Sequence, residues 1–137
     1  MSLVEIFSII IIHFVADFIM QDERWALNKS KNWDALLMHT ITYTSVWLVI
    51  ALIIDVYTNQ TTNDWYFDTL DVQLFLLITF VCHTITDYFT SRIVSKKFAE
   101  GKYGSAIPNF GAFTLIGGDQ VLHYIQLFAT YYYLIKI

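Results

Sequence analysis

The sequence predicts an all-α protein, a polytopic membrane four-helix bundle with both termini on the non-cytoplasmic side. Three observations carry that expectation. Of the 137 residues, 56% are hydrophobic and only 15% are charged, against about a quarter charged in soluble proteins. Four segments are apolar over roughly the 20 residues a helix needs to cross the hydrocarbon core. Seven of the eight basic side chains fall in two of the three connections between those segments.

The first predicted span is 3–21. Its start, "MSLVEIF", carries Glu5 and no lysine or arginine, which reads as a retained span rather than a cleaved signal. The second, 35–56, and the third, 72–94, are long, uninterrupted apolar runs. The fourth, 113–135, follows Pro108 and contains Gly117 and Gly118, with Gly111 just before it. Its helix begins either near 113 or at Asp119 acting as an N-cap, with a re-entrant stretch before it. These spans make residues 1–137 a single integral-membrane domain, with no room for a soluble one.

The first connection holds Arg24, Lys29 and Lys31, and the third holds Arg92, Lys96, Lys97 and Lys102; Lys136 is the exception. The second holds Asp64, Asp68 and Asp71 and no basic residue. The positive-inside rule therefore places the first and third connections in the cytoplasm. Trp25, Trp33, Trp65 and Tyr66 lie near span ends, where interfacial aromatics belong. The expected location is a bacterial inner membrane or a phage-infected host membrane, with membrane lipids as partners and an oligomer possible. No basic cluster with interleaved aromatics points to nucleic acid. The lone Cys82 excludes an intrachain disulfide and a thiolate zinc cage. "NQT" at 59–61 is a short glycosylation pattern of little weight.

Ionisable residues inside a membrane are expensive and mark function. The spans contain His13, Asp17, His39, His83, Asp87, Asp119 and His123, which include all four histidines of the chain. Three pairs share one spacing: "HFVAD", "HTITD" and "DQVLH". Residues four apart lie on one helix face. Counted from the cytoplasmic boundary at ~1.5 Å per residue, all seven fall roughly 6–16 Å deep. Imidazole with carboxylate suits a divalent transition metal, zinc foremost, with manganese or iron as alternatives. Seven ligands exceed the needs of one tetrahedral ion and match two ions sharing a bridging carboxylate, with positions open to water; the expected content is one or two ions. A hydrogen-bond network or proton relay is the competing reading, and a bis-histidine haem leaves three aspartates without a role.

Gln21, Thr86, Ser91 and Gln120 lie beside these ligands and are expected to orient them. Lys29 and Lys31 either set topology or steer an anionic headgroup toward the site. Asp87 and Asp119 are the expected catalytic carboxylates, bridging ions or taking a proton.

The run "HFVADFIMQ", then "NKSK" followed by "LLMH", then "CHTITDYFTSR" and "GGDQVLHY", resembles domain of unknown function family 3307 (DUF3307), small bacterial and phage membrane proteins. The matching positions are His13, Asp17, Gln21, Lys29, His39, His83, Asp87, Asp119, Gln120 and His123. The family looks distantly like bacterial membrane-bound metal-dependent hydrolases, and that likeness implies a hydrolase. The expected function is an integral-membrane, metal-dependent hydrolase of a lipid or another amphipathic ester or phosphoester. The alternatives are a non-catalytic protein whose metal or His/Asp network is structural, and a metal or proton transporter.

Overall fold

The computed structural model describes residues 1–62, 69–101 and 110–135, with the side chains of 59–62, 69, 110 and 112 left aside. Asp64, Trp65, Tyr66, Asp68, Lys102, Pro108 and Lys136 lie outside the described residues. Every regular element described is helical. The helices are α1 (Leu3–Phe14), α2 (Glu23–Asn28), α3 (Trp33–Thr62), α4 (Thr69–Ala99) and α5 (Phe110–Thr130), and π-helical turns extend α1 over Val15–Ile19 and α5 over Tyr131–Ile135.

Local chemistry sets the described ends. Ser2 caps α1 in a capping box with Glu5, so two of the first free N–H groups are satisfied. Asp22 caps α2 by accepting from the Arg24 N–H. Asn32 Oδ1 accepts from the Asp34 N–H at 2.8 Å at the start of α3. After α4 the chain turns at Gly101, whose φ of 66° is a conformation glycine adopts without cost. Helix α5 begins at Phe110 and runs through Gly117 and Gly118 unbroken.

Four long helical segments close on one another. α3 packs on α4, α4 on α5 and α5 on α1, and the π turn of α1 returns to α3. Their shared interior is one stripe per helix at a spacing of four. It reads Ile9, His13, Asp17 on α1 and its π turn; Trp47, Tyr43, His39 on α3; Phe75, Thr79, His83, Asp87 on α4; and Leu127, His123, Asp119 on α5. Every one of these is buried. The stripes run in register, so one end of the interior is apolar and the other holds all the histidines and aspartates.

The outer surface is the converse. On α4, Leu77, Val81, Ile85, Phe89 and Ile93 are exposed, two residues out of phase with the buried stripe and so on the opposite face. Phe7, Ile11 and Phe14 on α1, Leu48 and Leu52 on α3, and Val121 and Ile125 on α5 are exposed too. A buried polar core under a greasy exterior inverts the soluble pattern. Among the described residues, two helices, Trp33–Thr58 and Leu70–Ala99, are long and apolar enough to cross a membrane.

The short α2 folds back on α3. At the same end Trp33 stacks on Tyr88 at 4.8 Å, and Arg92 lies 3.7 Å over the Tyr88 ring. These contacts fasten the start of α3 to the end of α4 and hold the segment carrying Lys29 across the polar end.

Candidate metal centre

Each helix delivers its polar residues by the same geometry: four positions advance slightly more than one turn, so successive side chains stack along one face. The π turn at Val15–Ile19 adds a wider turn to α1 and carries Asp17 inward. Such insertions recur at functional sites.

Six residues come together. Asp17, His39 and His83 offer ligand atoms within 4.8 Å of one another, as do His83, Asp87 and His123, and Asp17, Asp119 and His123. The three groups overlap in a ring, sharing His83, Asp17 and His123. His39 Nε2 lies 2.9 Å from Asp87 Oδ2, 3.2 Å from Asp17 Oδ1, 3.2 Å from His83 Nε2 and 3.4 Å from Lys29 Nζ. One imidazole nitrogen carries one proton or one lone pair, so hydrogen bonds cannot serve all four neighbours. His123 Nε2 sits 3.5 Å from Asp87 Oδ1 and 3.6 Å from Asp119 Oδ1. Asp17 Oδ1, Asp87 Oδ1 and His123 Nε2 are buried without a hydrogen bond. Orphaned buried acceptors are rare; each of the three residues belongs to at least one of the ligand groups, so metal binding there would give these atoms partners.

The mixed imidazole and carboxylate set fits a divalent transition metal. The charge fits as well. Three aspartates, with Lys29 donating to Asp87 Oδ2 at 2.8 Å, leave two negative charges when the imidazoles are neutral. One divalent cation cancels them; a second would need an accompanying anion. Burial would lower the Lys29 pKa, but the Asp87 and Asp17 carboxylates outweigh it and hold the ammonium above its ordinary value.

His13 is placed differently from the other histidines. Its Nδ1 is 2.8 Å from Tyr43 Oη and its Nε2 is 2.7 Å from Gln120 Oε1. Asp17 Oδ2 is 3.9 Å from that Nε2, and both ring nitrogens already have partners. Gln120 joins three members of the layer, donating through Nε2 to Asp17 Oδ2 and to Asp119 Oδ2, each at 3.1 Å. Ser91 Oγ is buried without a hydrogen bond, and both Ser91 and Gln21 line the cavity next to the centre. Thr86 accepts the Thr90 hydroxyl on its carbonyl oxygen.

Sequence reasoning passed over Tyr43 and Thr90 and did not place Lys29 in the centre. Tyr43 stacks on His83 with ring centroids 3.8 Å apart, and His83 stacks on His123 at 4.1 Å. Thr90 Oγ1 donates to Asp119 Oδ1 at 2.7 Å. For Tyr43 the signal was present: "HTITY" at 39–43 repeats the spacing of the three His/Asp pairs.

A cavity of about 480 Å³ opens beside the layer, with Asp17, Asp87 and Asp119 in its wall. The comparison with known families places the chain plainly. Residues 6–137 match the model for the protein of unknown function family DUF3307, and the chain belongs to that family. No curated protein and no solved structure matches it.

Proposed function

We propose that this chain is an integral-membrane, metal-dependent hydrolase whose four long helices cross the bilayer as a bundle, both termini outside. The observation that carries the reading is the buried ring of three imidazoles and three carboxylates beside an open cavity. Asp17, His39, His83, Asp87 and His123 would hold one or two ions, with zinc the first choice and manganese or iron next. When bound, a divalent cation supplies Lewis acidity and lowers the pKa of water near neutrality. The inside-out surface supports the membrane setting, since lipid-facing positions must be apolar and polar groups must pair within the bundle.

The chain's own groups divide the remaining work. Lys29 pins Asp87, which suits that carboxylate to holding charge in place. Asp119 lines the cavity and is held by the Thr90 hydroxyl and the Gln120 amide. That position suits it to take the proton from the attacking water. His13 then orients Gln120 and Tyr43 and binds no ion. The positive-inside rule puts this end at the cytoplasmic leaflet, where lipid or other amphipathic esters and phosphoesters have access.

The test is hydrolysis of a panel of amphipathic esters and phosphoesters by the purified chain in nanodiscs. The expected result is turnover that a chelator removes and added metal restores, with Asp119→Asn at least 100-fold slower and still metal-loaded. Full metal loading with no turnover across the panel would instead assign the centre a structural role.

A further inference from the structure

We infer that the cavity beside the centre seats an anionic, phosphate-bearing amphiphile, with its head between Lys29 and Lys31 and its tail leaving past Phe18 and Ile116. The inference rests on the hydrolase reading for the fate of the bound molecule, but the binding itself is a separate claim. The cavity, about 480 Å³, lies in the range of small-molecule sites. Its lining divides in two. The inner wall carries the three aspartates together with Lys29 and Ser91. The rim carries Phe18, Leu27, Phe98 and Ile116, all exposed on the outer surface.

Charge selects the head. Lys29 and a single divalent cation together balance the three aspartates. Lys31, also in the lining, adds a positive charge beyond that balance. Ser91 lines the same space, with its hydroxyl oxygen itself buried in the wall. Two ammonium groups in one lining match the several acceptor oxygens of a phosphate, whereas a neutral ester supplies one carbonyl and no charge. Free phosphate would leave the apolar rim without a partner, so the rim argues for an attached chain.

The probes are hexyl phosphate, hexanol and inorganic phosphate, titrated calorimetrically into the zinc-loaded full chain in nanodiscs. Hexyl phosphate is expected to bind at least tenfold more tightly than either of the others. Lys31→Gln, which leaves the Lys29–Asp87 pair intact, is expected to keep its zinc, lose at least fivefold in hexyl phosphate affinity and leave hexanol unchanged. Ile116→Trp, which fills the rim without touching a ligand, is expected to weaken hexyl phosphate fivefold or more and stands in should Lys31→Gln fail to fold. Hexyl phosphate binding no tighter than hexanol, or no tighter than inorganic phosphate, overturns the proposal, as does an unchanged affinity in a folded Lys31→Gln. Selective binding without hydrolysis would contradict the hydrolase reading and leave this one standing. Hydrolysis of hexyl acetate without preference for hexyl phosphate would do the reverse.

Discussion

The two ends of the interior are built from the same four stripes and do opposite things. At one end Ile9, Trp47, Phe75 and Leu127 close together as an apolar core. One or two turns along the same faces, His13, His39, His83 and His123 take their places, followed by the aspartates. Each end has a cavity. The one at the apolar end, about 200 Å³, is lined by Ile9, Trp47 and Phe75, and the other by carboxylates and lysines. The same helices thus pack through apolar side chains one to two turns away from the polar layer. The contrast also bears on transport. Among the described residues, the hydrogen bonds between the ends include that of Gln126 Nε2 to Thr79 Oγ1 at 3.2 Å. Beyond them lies the apolar core, which favours a centre reached from one side only.

Substitutions at the two ends should separate metal binding from packing. The largest effect is expected from His83→Ala, which removes a residue shared by two of the three ligand groups. Metal retained after dialysis should fall at least 100-fold. His13→Gln should cost only about 10-fold in metal affinity, the scale of an orienting residue, and should keep the stoichiometry; a loss equal to that of His83→Ala would make His13 a ligand. Phe75→Ala at the apolar end should leave the stoichiometry intact and lower stability by about 2 kcal/mol or more through the cavity it opens, measured by denaturation in mixed micelles. Smallest of all, Gln126→Leu should shift stability by about 0.6 kcal/mol, the mean for hydrogen bonds between membrane helices. A large effect on activity there would reopen the transport reading.

How much of this was legible in the sequence differs between the two ends. The polar stripe was readable because ionisable residues are rare in apolar runs and their spacing of four repeats in three helices. Tyr43 obeys the same spacing after His39, yet a tyrosine in an aromatic-rich chain carries no such contrast. The apolar end was not readable residue by residue, since Ile9 and Phe75 sit among equally apolar residues that face outward. Nor could spacing distinguish His13 from the other histidines. What separates them is the reach of Tyr43 from α3 and Gln120 from α5, which only packing decides. Lys29 reaches Asp87 because α2 turns back after Asp22, a tertiary event with no periodic signature. The π turn at Asp17 also left no mark that the helical pattern could reveal.

The central claim, that the polar end is a metal centre rather than a hydrogen-bond network, is tested most directly by elemental analysis of the chain purified in nanodiscs without added metal. The account predicts one transition-metal ion per chain, or two if an anion is bound with them, and no more than a trace in His83→Ala folded to the same helical content. Wild-type protein that is folded and carries no stoichiometric metal, before and after incubation with zinc, manganese or iron, would contradict it.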